Sequence, residues 1–174
     1  MTKTNITAIC CVLAAAGVAA GSFAIARTRN EVPSPAAASA EARAEVKQVI
    51  DEFFEAARSQ DWDRAGNTFA ADFEIYTDGA VGYDKGSYIK ALKDENIETR
   101  KMQLNDLEIH VSPDRQVAWA KYRGDFESAI HGKLSRDKTA ETLIFEKRER
   151  AWKIVRAHAS ILDSGAAQTG SGGN

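Results

Sequence analysis

From residue 102 onward the apolar positions follow a β pattern, and this long second half constrains the fold more than any other feature. Leu107, Ile109 and Val111 alternate with Glu108 and His110, and Pro113 in the SPDR segment (112–115) occupies a favoured turn position. A long strand, VAWAKYRGDFES, is predicted at 117–128, with Gly124 as a natural bend or bulge point. The polar HGKLSRD stretch reads as a connection. It leads to TAETLIFEK (139–147), a short RER turn and AWKIVRAHASIL (151–162).

The first half has a different period. Val46, Val49, Ile50, Phe53, Phe54 and Ala57 lie at three- and four-residue steps, which predicts a helix over roughly 40–59 with Ser39 as its N-cap. Asp61 can cap a short second helix, 62–69, whose Trp62, Ala65 and Phe69 face inward. Phe73, Ile75 and Thr77 alternate with Glu74 and Tyr76 in a short strand. Asp78-Gly79 turns the chain, and Gly82 precedes a third helix over 85–95 with Tyr88, Ile89 and Leu92 on one face. Three helices with one short strand among them, then consecutive long strands, predict an α+β fold. Its helices cover one face of a curved antiparallel sheet.

The ends carry other signals. Residues 6–26 (ITAICCVLAAAGVAAGSFAIA) are uncharged and finish in the small-x-small pattern Ala24-Ile25-Ala26, as in an export signal. The alternative is an uncleaved anchor in the inner membrane, because the run is long enough to span a bilayer and Arg27 and Arg29 follow it. Residues 1–26 are therefore read as signal peptide or membrane anchor. Residues 27–38 read as linker, 39–163 as the folded domain and 164–174 as a flexible Gly/Ser tail. A processed chain would be periplasmic or extracellular. It would lack cysteine, since Cys10 and Cys11 lie in the leader, and would carry a net charge of −3 in place of −2. No basic field invites nucleic acid, and membrane contact is expected only if 6–26 stays attached.

The D-W-D-x-A frame around the second helix, Gly82 ahead of the third and the final W-K-I-V-x-x-H-x-S strand resemble the nuclear transport factor 2-like superfamily. The nearest resemblance is to its SnoaL-like branch, close to the ketosteroid-isomerase-like group, over nearly all of 40–163. That resemblance implies a cone-shaped sheet enclosing a pocket, with about three helices on the concave side and homodimers formed through the sheet's outer face. It does not specify chemistry, because relatives include isomerases, cyclases, dehydratases, hydrolases and non-catalytic domains.

Alternation divides the last strand into Trp152, Ile154, Arg156, His158 and Ser160 on one face and Lys153, Val155, Ala157, Ala159 and Ile161 on the other. The first set mixes polar and apolar groups as a small-molecule pocket does, and it equally suits a polar dimer face. His158 is a candidate general base, because imidazole titrates near neutrality, or a histidine that only ties neighbouring strands. Relatives often carry a histidine at the position of Arg156, so a mechanism needing a pair has lost one member. Arg156 could fork onto a substrate carboxylate, or pair with Asp125 or Glu141. Asp78 could accept a proton and Tyr76, Tyr122 or Trp119 could donate, although Thr-Asp-Gly is also ordinary turn chemistry. Trp119 and Tyr122 fall on opposite faces of their strand.

The histidines stand 21 and 27 residues apart, no phosphate-cradling glycine motif occurs, and neither a cofactor nor a metal is called for. The expected ligand set is Tyr76, Trp119, Tyr122, Arg156, His158 and Ser160, with His158 and Asp78 as candidate bases. Three readings follow in order: an exported pocket protein for a small apolar or amphipathic molecule, an isomerase-, dehydratase- or hydrolase-type enzyme, and a dimeric assembly domain with a filled pocket.

Overall fold

A computed structural model describes residues 34–77 and 82–166. The apolar leader 6–26 and Asp78 lie outside the described residues. The first helix, α1, spans Pro35–Arg58. It starts earlier than the apolar period suggests: Ser34 and not Ser39 caps it, its Oγ accepting from the Ala37 amide, Pro35 takes the first turn and Ser39 lies within the helix. The linker reading of 34–38 is thereby corrected, since Ala36–Ala38 are strong helix formers behind a good start signal.

Ala38, Ala42, Val46, Ile50, Phe54 and Ala57 form the buried stripe of α1. Burial of Val46, Ile50 and Phe54 is worth about 1.5–3 kcal/mol each. Helix α2 (Trp62–Asn67) is capped by Asp61 as expected, and Phe69 passes into β1 (Phe69–Thr77). After β2 (Tyr83–Asp84), Asp84 caps α3 (Lys85–Asp94).

Four long strands follow: β3 (Glu98–Val111), β4 (Val117–Ile130), β5 (Lys133–Arg148) and β6 (Ala151–Ala166). The sheet order is β2-β1-β6-β5-β4-β3, and α1 packs mainly against β3. The sheet is mixed, because β1 runs parallel to β6 while every other pairing is antiparallel.

The HGKLSRD stretch is not a loop. His131 and Gly132 have φ of 49° and 76°, the two positive values of a two-residue hairpin turn, and Ile130 pairs Lys133 directly beyond them. Glu149 and Arg150 repeat the device between β5 and β6. The last strand also runs into the Gly/Ser tail as far as Ala166, opposite Ser135.

Gly124 makes no bulge against β5, where pairing runs unbroken through Gly124 and Thr139. Its smallness serves packing. A Cβ there would stand 2.2 Å from Cε2 of Phe126 and 2.7 Å from Oγ1 of Thr139.

The bulge that matters lies in β6. Ile144 pairs Arg156 and Phe145 pairs Ile154, so Val155 has no partner across the ladder. This extra residue breaks the simple alternation of the last strand. Trp152, Ile154 and Ala157 all join the core, while Arg156 and His158 turn the other way.

Candidate functional site

Strand register sorts the expected ligand set onto two faces. Across β1, β6, β5, β4 and β3, one row of paired residues reads Tyr76, His158, Thr142, Lys121 and Glu108. The adjacent row reads Glu74, Arg156, Ile144, Trp119 and His110. These rows form the outer face, away from the core. Trp119 is 43% exposed and stacks on His110 at 5.2 Å, and Tyr76 is exposed as well.

His158 and Ser160 line an open depression of about 400 Å³ on this face with Glu108, Lys121 and Arg123, and Tyr122 and Glu141 border it too. Arg156 pairs with neither Asp125 nor Glu141. Its guanidinium donates to the backbone carbonyls of Asp72 and Val155 at 2.7 Å and lies 3.4 Å from Glu74. The single-face grouping of Trp152 and Ile154 with Arg156, His158 and Ser160 is therefore corrected, and the Val155 bulge is the reason. Of the six expected ligand residues, only Tyr122 is among the core residues beneath α1.

Inside, Tyr122 takes Glu141, one of the two acids that could have paired with Arg156. Glu141 sits opposite Tyr122 on β5, and the phenol hydroxyl donates to its Oε2 at 2.5 Å. Thr139 Oγ1 donates to Oε1 at 2.7 Å, so each carboxylate oxygen has one hydroxyl. Among the described residues no cation pairs with Glu141.

The surroundings are aromatic. Phe54 of α1 lies 5.9 Å from the Tyr122 ring, edge-on, and 6.3 Å from Phe126. Tyr88 of α3 lies 6.0 Å from Phe73. Burial pushes the Glu141 carboxyl above the usual carboxylate range, although the two hydroxyls oppose that shift. Tyr122 is held well above the ordinary phenol value, chiefly by burial and then by the Glu141 charge; Tyr88 shifts upward from the same two causes.

The cluster offers a half-buried acid with two hydroxyls on it and aromatic rings alongside. Perturbed titratable groups in an apolar setting are what proton transfer or polar anchoring of a ligand requires. A signal for Glu141 was present in TAETLIF. Thr139, Glu141, Leu143 and Phe145 share one face of β5, so an acid stands at an inward position beside apolar ones.

Comparison with known families agrees with this architecture. Residues 46–164 match the family described as SnoaL-like domain. The chain belongs to that family. The SnoaL-like domain here also resembles several solved structures. An NTF2-like protein of unknown function in nutrient uptake from Rhodospirillum rubrum superposes with a TM-score of 0.63 at 13% identity, covering 68% of this chain and 98% of its own. A ketosteroid isomerase-like protein from Erwinia carotovora atroseptica gives 0.60 at 12% identity, covering 71% and 98%. An NTF2-like protein with a cystatin-like fold from Novosphingobium aromaticivorans gives 0.59 at 17% identity, covering 74% and 86%. At these identities the likeness establishes the fold of the SnoaL-like domain. Among curated proteins no match is found.

Proposed function

We propose that the SnoaL-like domain binds a small apolar or amphipathic molecule between the core face of the sheet and helices α1 and α3. The polar end of the ligand meets Glu141 and Tyr122. The observation that carries this reading is Glu141 itself, a half-buried carboxyl held by two hydroxyls, one of them on the Tyr122 ring that Phe54 meets edge-on. Burying such a group without a cation is unfavourable for folding, and a binding site is the usual reason to retain it.

Any proton transfer in the domain is assigned to Glu141 rather than His158, which is exposed on the outer face. Native mass spectrometry of the chain purified from its own host tests the reading. A small-molecule adduct released on denaturation is expected. The bare chain mass, with no molecule recovered by solvent extraction, counts against it.

A second reading concerns the outer face, which we propose joins two copies of the chain. Trp119, Ile144, Val117 and Tyr76 are all exposed there. The neighbouring Glu108–Lys121 and Glu74–Arg156 pairs give the face both signs of charge, which suits packing against a copy of itself.

Export rests on residues 6–26 and the Ala24-Ile25-Ala26 pattern. N-terminal sequencing of the mature chain tests it. A start at Arg27 is expected, whereas a start at Met1 rules out the processed form and leaves the membrane anchor.

A further inference from the structure

The class of ligand follows from what the interior cluster has left to offer. The Tyr122 and Thr139 hydroxyls already donate to Glu141, one to each oxygen. A ligand carbonyl entering this space would compete with the carboxylate for those donors. A ligand carboxylate would meet Glu141 with no cation among the described residues to offset it. Arg156, the guanidinium that could have received an acid, lies on the other face, occupied by Asp72, Val155 and Glu74.

Two resources remain unused: the negative charge of Glu141, and the faces of the rings around it. Phe54 packs against both Tyr122 and Phe126, and the Phe126 ring lies over Gly124 next to Thr139. The Glu141 charge also reaches the Tyr88 hydroxyl on α3. An anionic group in low dielectric beside aromatic faces is the environment that attracts an ammonium ion, through Coulombic and cation–π terms together.

We propose that the ligand of this interior site is a cationic amine with an apolar body, its ammonium group meeting the Glu141 carboxylate and the rings of Phe54, Tyr88, Tyr122 and Phe126. This rests on the reading that the interior binds a small molecule at all. The ammonium supplies the counter-charge that no described residue provides, and the apolar body lies along the aromatic wall.

The test compares three probes of one shape by calorimetry on the full chain: 2-phenylethylammonium, 2-phenylethanol and 3-phenylpropionate. The amine binds at least about tenfold more tightly than the alcohol, the acid binds least, and Glu141→Gln brings the amine down to the level of the alcohol. A second measurement needs no variant: the side-chain carboxyl carbon of Glu141, followed by NMR in the wild type, stays in its ionised position to lower pH when the amine is present. Alcohol or acid binding as tightly as the amine overturns the amine class and leaves the pocket reading standing. Failure of all three to bind overturns both. A Glu141 titration unmoved by bound amine overturns the assignment of the ammonium to that carboxyl.

Discussion

Tyr122 and Glu141 face each other across the β4–β5 ladder, and the phenol hydroxyl donates to the glutamate carboxyl. Neither residue lies on the strand that carries His158, and the pair is positioned by sheet register alone. The surrounding rings come from elsewhere: Phe54 from α1, Tyr88 from α3 and Phe126 from further along β4.

The first prediction concerns pH. Burial raises the folded-state value of Glu141 above its unfolded value near 4.5, so its favourable contribution is complete below that pH and is lost as pH rises through the elevated folded value. Glu141→Gln removes this penalty. The melting temperature of the variant minus that of the wild type therefore becomes more positive between about pH 4 and pH 8. A difference that stays flat over this range contradicts the desolvated state of Glu141.

The second concerns how α1 is held to the sheet. Glu45 Oε2 accepts from Trp152 Nε1 at 2.8 Å and from Lys147 Nζ at 2.9 Å, and Lys147 lies over the indole at 5.5 Å. Glu45→Ala leaves the largely buried indole N–H without its acceptor and destabilises by roughly 1–3 kcal/mol in urea unfolding. The Lys147 hydrogen bond is the main cause of the lowered Glu45 value, so this contribution is present above pH 4.5 and fades as pH falls through the folded value. Equal effects of the substitution at neutral and strongly acidic pH contradict it.

The third concerns Gly124. An alanine there collides with the Phe126 ring and the Thr139 hydroxyl. Gly124→Ala costs about 1–3 kcal/mol by overpacking, and Phe126→Leu in the same chain recovers part of the loss. Additive losses in the double variant, measured by chemical denaturation, argue that the ring is not what the glycine accommodates.

The fourth concerns assembly. Sedimentation analysis gives a dimer for the full chain and a monomer for Trp119→Glu, with unchanged far-ultraviolet circular dichroism, because this indole is exposed on the outer face. A wild-type monomer, or a variant that remains a dimer, contradicts the outer-face interface.

Much of the architecture was legible in the residues. The amphipathic stripe of α1, the cap at Asp61 and the alternating strands follow from local periodicity and capping chemistry, which one stretch of chain carries by itself. The parallel pairing of β1 with β6 is non-local, and no pattern within either strand encodes it. The grouping of Glu141 with Tyr122 was missed for a related reason. Alternation through WKIVRAHAS assumes an unbroken ladder, and the Val155 bulge divides the set that contained Trp152 and His158. Tyr122 could be placed opposite Trp119 from its own strand, but its pairing with Glu141 needs the β4–β5 register.

The most direct test of the interior site is an NMR screen of the full chain against small amphipathic molecules, with aromatic rings and glutamate carboxyls assigned. The account predicts a binder whose shifts centre on Glu141, Tyr122, Tyr88 and Phe126 and leave Trp119 and His158 unmoved. Shifts confined to Trp119, His158, Glu108, Lys121 and Arg123 would contradict it, as would a screen in which no molecule perturbs Glu141.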